Sequence, residues 1–209
     1  MTSRSKLRLW NMAIILLIIV GLVLIFYPQW TRYVEEQNEL RLLTEWDSLP
    51  KSITSGSGST TPIRPTSASH NKSPAALIDG LPVYGTISIE KIDLREPMVE
   101  GATAQSLKLG SGVVIPERMP GEIGNFVLAS HRSRTYGRHF NRLDELEAGD
   151  KIKLETADHS FEYSVTSKFV VLPEDLSVLD QREDSKELTL ITCEPFGKST
   201  HRLIIKATM

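Results

Sequence analysis

The sequence predicts a mainly β domain that follows an N-terminal apolar segment and a polar linker. Three observations carry this prediction. Several segments between residues 80 and 209 alternate apolar and polar side chains with a period of two, which is typical of half-buried strands. Two further runs in that part are continuously apolar, as buried strands are. One run near the N-terminus is apolar over 18 residues, so the 209-residue chain divides into one domain and an appendage.

The apolar run Trp10–Tyr27 contains only Asn11 and Gly21 as residues without an apolar side chain. As a helix it would be ~27 Å long, close to the ~30 Å hydrocarbon core of a bilayer. A signal peptide, a buried core helix and an uncleaved anchor are the three interpretations. Bulky residues follow the run where a signal peptide needs small ones, and the run has no polar stripe. The sequence therefore favours a membrane anchor over residues 10–27.

The residues that flank this anchor predict its orientation. Residues 1–9 carry Arg4, Lys6 and Arg8 and no acidic side chain. Positive charges collect on the cytoplasmic side of membrane proteins, so residues 1–9 are expected in the cytoplasm. We therefore predict a single-pass protein of the cell membrane whose C-terminal domain is extracellular.

Residues 28–79 are predicted to be a juxtamembrane segment and a linker. The part from Thr31 to Leu49 has a weak apolar stripe and is compatible with a helix. In Lys51–Ser73, 15 of 23 residues are Ser, Thr, Gly or Pro. Such a segment cannot bury enough apolar surface to offset the conformational entropy that it would lose on folding. As a flexible coil this linker would span ~25–30 Å.

Residues 80–209 form the predicted folded domain. Strand patterns cover residues 83–89, 125–129, 151–154, 161–166, 188–192 and 203–206. Short helices are predicted within residues 103–108 and 141–146. Together these elements predict a mainly antiparallel barrel or sandwich with short helical crossovers.

Charge and cysteine content exclude several function classes. The chain has 24 basic and 26 acidic residues, and residues 80–209 alone carry 16 and 20. A nucleic-acid binder usually shows a basic surface, so no nucleic-acid partner is expected. One cysteine excludes an internal disulfide and a thiolate-rich zinc or iron–sulfur site. No HExxH, phosphate-loop or GxSxG motif is present either.

Three residues stand at the ends of strand-like runs. Cys193 ends one apolar run, and His131 follows another. Arg202 opens the final run, nine residues after Cys193, and a hairpin of that length would place the two side by side. The pattern therefore predicts that three strands bring together a thiol, an imidazole and a guanidinium. A buried structural cysteine is the alternative, because free cysteine behaves as a small apolar residue.

Such a trio has a clear chemical use. A free thiol has a pKa of about 8.5, so a neighbouring imidazole is needed to take its proton and later to protonate a leaving amine. The arginine is always charged and can bind an acyl oxygen as negative charge develops there. The four other histidines are interpreted as surface or hydrogen-bonded residues: His70, His139, His159 and His201. Four arginines after His131 are interpreted as a solvated loop face: Arg132, Arg134, Arg138 and Arg142.

These residues resemble the sortases, membrane-anchored cysteine transpeptidases on the surface of Gram-positive bacteria. The string Thr189–Cys193 reads TLITC, Arg202 follows at the family's spacing, and His131 precedes both. Ser130 stands where many sortases have glycine. Four segments are similar to the class D branch: His131-Arg132, Tyr136-Gly137-Arg138, Phe140-Asn141-Arg142-Leu143 and Thr200-His201-Arg202-Leu203.

The resemblance implies a closed eight-stranded β-barrel and a reaction. Cys193 would attack the Thr carbonyl of an LPxT[GA]-like C-terminal sorting signal on a secreted protein and form a thioacyl enzyme. His131 would act as general acid and base, Arg202 would hold substrate and oxyanion, and Thr192 would assist by hydrogen bonding to the substrate. An amine of a lipid II-type peptidoglycan precursor would then resolve the intermediate. No cofactor or metal is predicted to be required.

Two alternatives to the transpeptidase stay open at the level of sequence. The same site could serve a membrane-bound thiol protease that releases the acyl group to water. The domain could also be a non-catalytic surface module. The TLITC string together with Arg202 argues against the module, since simple binding needs neither.

Overall fold

The computed structural model describes residues 3–49, 76–78, 80–132 and 138–209. The predicted linker at residues 51–73 lies outside this range. The chain divides into two compact units, Met1–Asn38 and Glu39–Met209.

Helix α1 (Ser3–Ser48) belongs to both units: residues 3–38 form the described part of the first, and residues 39–48 belong to the second. Its apolar window is exposed throughout, and the helix is long and apolar enough to cross a membrane. The predicted segment 10–27 is therefore helical, as expected for a membrane span. The helix is longer than the apolar run predicts, because it continues through Pro28 to Ser48.

The second unit is built from nine strands and four short 3₁₀ helices. The strands are β1 (Ala76–Ile78), β2 (Leu81–Ile89), β3 (Leu94–Glu100), β4 (Ser111–Val113), β5 (Gly124–Ala129), β6 (Lys151–Glu155), β7 (Ser160–Val171), β8 (Lys186–Glu194) and β9 (His201–Thr208). The 3₁₀ helices are Glu90–Ile92, Ser106–Lys108, Leu143–Glu145 and Leu176–Leu179. Two of them lie within the predicted helical segments 103–108 and 141–146.

Eight of these strands close into a barrel. They follow the order β2-β3-β4-β5-β8-β9-β7-β6, and β6 pairs back onto β2. Strand β1 adds to β2 outside the ring. All pairs are antiparallel except β3–β4 and β5–β8, which are parallel. The predicted closed eight-stranded barrel is thus confirmed.

Gly85 lies where the barrel closes. Strand β2 is irregular between Val83 and Gly85 against β3, and the next residue, Thr86, pairs with Glu155 of β6. A Cβ atom on Gly85 would lie 1.9 Å from the Glu155 carbonyl oxygen, and its φ of +151° disfavours other residues. Only glycine lets β2 approach β6 this closely.

The barrel interior is filled by the apolar residues of the alternating strands. Fully buried side chains from different strands include Ile87, Leu128, Leu154, Leu190 and Ile205. Because alternate residues of a strand point to opposite faces, the intervening side chains lie on the outer surface of the barrel. Polar chemistry is therefore placed on the outside of a rigid apolar core.

A second, smaller core joins the end of helix α1 to the barrel wall. Trp46 is fully buried and packs in one cluster with Leu42, Ile78, Val83 and Val99. Burial of these apolar surfaces makes the helix end part of the compact unit. Residues before position 80 therefore contribute to the packing of the domain.

Candidate active site

The ends of β5 and β8 are held in register beyond the last paired residues. Ala129 pairs with Ile191, and the Ser130 amide donates to the Ile191 carbonyl at 3.1 Å. The Thr192 hydroxyl donates to the Ser130 carbonyl at 2.9 Å, so this bond also continues the parallel register. In the same register the next residue of each chain segment is His131 and Cys193. Continued by two residues beyond the last paired strand positions, this register brings the backbone of His131 beside that of Cys193.

Arg202 lies on the other side of Cys193. We call His131, Cys193 and Arg202 the row. The two residues are direct partners in the antiparallel pair of β8 and β9. Leu190 of β8 and Leu203 of β9 belong to the barrel core. Cys193 is an odd number of positions from Leu190, and Arg202 is next to Leu203, so the alternation of the strands places Cys193 and Arg202 on the outer face. Both side chains are partly exposed. The predicted convergence of Cys193 and Arg202 through a hairpin agrees with this register.

The Arg202 guanidinium is anchored at one end. Nη1 donates to the carbonyl of Ser199 at 3.1 Å and to that of His201 at 3.0 Å. Among the residues that the structure describes, both hydrogen bonds of Arg202 use this nitrogen. The remaining donors of the planar fork can therefore meet an acyl oxygen beside Cys193.

Arg132 links the segments that follow the two predicted catalytic residues. Its guanidinium forms ion pairs with Glu194 and, at 3.0 Å, with Asp144. The guanidinium carbon also lies 6.0 Å from the centre of the Phe196 ring. The side chain is only 9% exposed, so this arginine does not face solvent as predicted. Its interaction with two carboxylates explains the burial.

The connection between β7 and β8 covers the outer face of the strands below the site. Asn125 Nδ2 donates to the Val178 carbonyl at 2.9 Å, and Lys206 Nζ donates to the same oxygen at 3.0 Å. The Thr189 hydroxyl donates to Asn125 Oδ1 at 2.6 Å. These bonds fix the 3₁₀ helix Leu176–Leu179 against β5, β8 and β9. Sequence reasoning did not identify Asn125, since an amide inside an apolar run carries no motif.

A buried polar cluster lies beside His131. The rings of His131 and His139 are 6.4 Å apart between centres, at an angle of 72°. His139 Nδ1 lies 2.9 Å from Glu96 Oε2, and Glu96 also accepts from the Ser111 hydroxyl. On the other side, Arg138 Nη2 lies 2.7 Å from Glu39 of helix α1. The cluster joins helix α1 and strands β3 and β4 to the segment after His131.

The ionisation of this cluster is perturbed. Burial lowers the pKa of His139, but the hydrogen bond and charge of Glu96 outweigh it, so the pKa is raised above the ordinary value. Burial raises the pKa of Glu39, assisted by the charge of Glu96. Desolvation therefore sets the direction of the shift for Glu39, whereas the neighbouring carboxylate sets it for His139.

The same cluster has the only described side chains that meet the geometry of a metal site. One oxygen each of Glu39 and Glu96 and one ring nitrogen of His139 lie within 4.8 Å of one another. Each carboxylate already has a cationic or hydrogen-bonding partner in the protein, and the Arg138 guanidinium lies on Glu39. The residues therefore fit an ion-pair network better than a metal site.

The remaining predicted residues lie apart from the row. His159 is exposed and stacks on Phe161, and His201 accepts from or donates to Thr200. Arg142 pairs with Asp93 and Glu145. Residues His70 and Arg134 lie outside the described residues.

Comparison with known proteins identifies the family. A family model described as "Sortase domain" matches residues 87–209, which include the whole row of His131, Cys193 and Arg202. The chain belongs to the sortase family. This finding confirms the resemblance to sortases. Members of the family are cysteine transpeptidases.

Individual relatives include D-type sortases. Sortase D of Bacillus subtilis (strain 168) is 35% identical over 124 residues, which are 58% of this chain and 61% of the relative. The match thus spans about three fifths of that relative's length. The structure of a Clostridium perfringens sortase D5 transpeptidase is 36% identical, with a TM-score of 0.55 over 60% of this chain and 78% of that one.

A third similar protein is described together with a substrate motif. It is C. perfringens sortase C with the C-terminal cell wall sorting motif. It is 31% identical to this sortase, with a TM-score of 0.56 over 60% of this chain and 69% of that one.

Proposed function

We propose that this protein is a membrane-anchored transpeptidase that cleaves an LPxT[GA]-like sorting signal and transfers the acyl part to an amine. The observation that carries the proposal is the direct pairing of Cys193 with Arg202, together with the register that leads from β5 into His131 beside the end of β8. Thiol, imidazole and guanidinium in one row provide a nucleophile, a proton carrier and an oxyanion partner.

The first half-reaction forms a thioester. His131 takes the proton of the Cys193 thiol, and the sulfur attacks the carbonyl carbon of the Thr in the sorting signal. The carbonyl oxygen becomes negative and is bound by the Arg202 guanidinium. The bond from Thr to the following Gly or Ala breaks, and His131 returns its proton to the leaving amine.

The second half-reaction reverses these steps with a new amine. An amine of a lipid II-type peptidoglycan precursor attacks the thioester carbonyl, and His131 accepts the proton that this amine loses. The Cys193 sulfur leaves and is protonated again. Water in place of the amine would give hydrolysis, so the partly exposed position of Cys193 makes slow thiol-protease activity an expected side reaction.

Apolar residues near the row suit the Leu and Pro of such a signal. The end of β7 lies beside Arg202, since Val171 is its partner in the sheet. Val170, Leu172 and Leu176 are at least half exposed in this stretch and the connection after it. Exposed apolar side chains next to a polar site are typical of a binding surface.

Thr192 is proposed to hold the two strand ends in register and not to contact the substrate. It is buried, and its hydroxyl donates to Ser130 within the protein. We assign it to the alignment of His131 with Cys193. Binding of substrate by Thr192 stays a prediction.

Helix α1 is proposed to anchor the enzyme in the cell membrane, with residues 1–9 in the cytoplasm and the barrel outside. The apolar window of the helix and the three basic residues before it support this orientation. An extracellular barrel would meet both secreted proteins and cell-wall precursors at the membrane surface.

The test uses the full chain in lipid nanodiscs with LPxTG and LPxTA peptides and an amine acceptor. Wild type is expected to give the amine adduct, and mass spectrometry of the protein is expected to detect an acyl group on Cys193. Cys193→Ala should lose at least about 1000-fold in rate and carry no acyl group. Cleavage by Cys193→Ala at more than a tenth of the wild-type rate would show that the nucleophile is wrong.

Two controls sharpen this test. Omitting the amine separates transfer from hydrolysis, because a protease would give the same free acid with and without the acceptor. His159→Gln changes an exposed histidine away from the row and is expected to keep the wild-type rate. His131→Gln should instead lose most of the activity.

A further inference from the structure

The backbone of His131 is hydrogen-bonded to a residue that follows it in the chain. The Phe140 amide donates to the His131 carbonyl at 3.0 Å, and Phe140 is fully buried. The residue before it, His139, contacts the His131 ring edge to face. His131 is therefore held both by a backbone bond and by a neighbouring ring.

His139 adopts an unusual backbone conformation to reach this position. Its φ is +52°, a left-handed value that is unfavourable for a residue other than glycine. Such a conformation persists where the surroundings fix it. Here the fixing contact is Glu96, which is fully buried on β3 and also holds the Ser111 hydroxyl.

We propose that His139, held by Glu96, is a positioning residue for His131: it fixes the orientation of the catalytic imidazole and places a positive charge beside it. This inference rests on the proposed role of His131 in catalysis. His139 itself touches no substrate and acts only through His131.

The charges around both rings define the expected effect. His139 faces Glu96 from β3, Glu39 from helix α1, and Arg138 from its own segment. The hydrogen bond and charge of Glu96 overcome the effect of burial and raise the pKa of His139, which favours the charged form of its ring. The His131 ring lies against this ring, with 6.4 Å between the centres. A protonated His139 at this range disfavours a second positive charge on His131.

The experiment measures His131 directly, by NMR titration of the full chain labelled with ¹³C-histidine in nanodiscs. His139→Phe keeps a ring but removes the charge, and Glu96→Gln keeps the size and an acceptor while removing the carboxylate. His139→Phe removes the charged ring and is expected to raise the pKa of His131 by ~0.5–1 pH unit. Glu96→Gln removes the group that favours the charged form of His139, so it is expected to shift the pKa of His131 in the same direction. The apparent pKa that the pH–rate profile assigns to His131 should shift by the same amount, and kcat should fall ~10-fold.

The matched control is His159→Phe, the same substitution at an exposed site, which should leave the His131 titration unchanged. If His139→Phe lowers Tm or activity while His131 titrates as in wild type, the role is structural and the inference is wrong. Wild type alone gives a second test. A nuclear Overhauser effect between the rings of His131 and His139 is expected, and its absence would contradict the contact. The NMR titration and the Overhauser effect need no substrate, so these two readouts are independent of whether the proposed transpeptidation is correct.

Discussion

The Arg132 side chain forms an ion pair with Glu194, and these two residues directly follow His131 and Cys193. The pair continues the same register as the Thr192–Ser130 hydrogen bond. Three successive interactions therefore join the end of β5 to β8 at the site. An error in this alignment would displace the imidazole from the thiol.

We expect Arg132→Gln to lower kcat at least ~10-fold, because misplacement of a catalytic group by about 1 Å can cost ~100-fold. Glu194→Gln should have a similar effect, and the double variant should lose little more, since the two changes remove one interaction. Arg142→Gln is the matched control, because its carboxylate partners lie on the surface. Additive losses in a double-mutant cycle would show that the pair does not act as a unit.

Arg202→Lys is expected to reduce kcat by ~100-fold or more, comparable to the loss of an oxyanion partner. Arg202 binds two backbone carbonyls through Nη1 and keeps the other donors of its planar guanidinium for the substrate. The ammonium group of lysine is not planar and cannot make both sets of contacts. The measurement is single-turnover acylation by the peptide. Arg182→Lys, at an exposed position, is the control. Near-normal acylation by Arg202→Lys would remove Arg202 from the oxyanion role.

Thr192→Val tests the bond between β8 and Ser130 with little change in shape. The loss of the hydroxyl leaves the Ser130 carbonyl without this donor, at a cost of about 1–3 kcal/mol in the free energy of unfolding. We expect a lower denaturation midpoint and a lower kcat with an almost unchanged KM. Thr192→Ser retains the hydroxyl and should recover most of both. An increase in KM alone would instead favour the substrate contact predicted from sequence.

Trp46→Ala tests whether the end of helix α1 belongs to the barrel. Trp46 is fully buried against Val83 and Val99, so its loss should cost about 3–5 kcal/mol in the free energy of unfolding. Trp30→Ala removes an exposed indole in the same helix and is the control. Denaturation of the full chain, followed by circular dichroism in the β region, measures both. Equal stability of the two variants would show that the helix end is dispensable.

The stability of the barrel should depend on pH through His139. The pKa of this residue is raised above 6.5 in the folded protein, so its ion pair with Glu96 contributes stability fully below the unfolded value. That contribution is lost as the pH rises through the folded value. Urea denaturation at about pH 6 and about pH 9.5 should therefore show a wild-type advantage over His139→Phe that shrinks at the higher pH. Glu39, whose pKa is raised by burial, is present in both the wild type and the His139→Phe variant. A constant difference would contradict a charged His139.

Local patterns predicted six of the nine strands that the structure describes and one half of the candidate site. The distance of nine residues between Cys193 and Arg202 suits one hairpin, so their convergence follows from the sequence. Strands β1 and β4 have three residues each and were missed, and β3 was missed because it contains Pro97 and three charged residues, Arg95, Glu96 and Glu100. Glu96 is nevertheless buried, since His139 and Ser111 supply its partners from distant parts of the chain.

Other features depend on contacts that a single sequence does not encode locally. Helix α1 extends past Pro28 because its end packs on the barrel, and few of its side chains make that contact, so its apolar stripe is weak. The burial of Arg132 could not be predicted, because Glu194 lies 62 positions further along the chain. Each arginine near His131 carries the same local signal, and only the fold shows that Arg132, Arg138 and Arg142 are all largely enclosed by carboxylate partners instead of facing solvent as predicted.

The parallel pairing of β5 with β8 has a consequence for when the thiol becomes reactive. Strands that run parallel cannot be joined by a tight turn, and here their partners are separated by 62 positions. Such a pair forms late, because the intervening chain must first be ordered. A chain in extended form therefore carries Cys193 as an ordinary thiol without its imidazole. Closure of the barrel is therefore the step that brings the proposed nucleophile and its proposed base together.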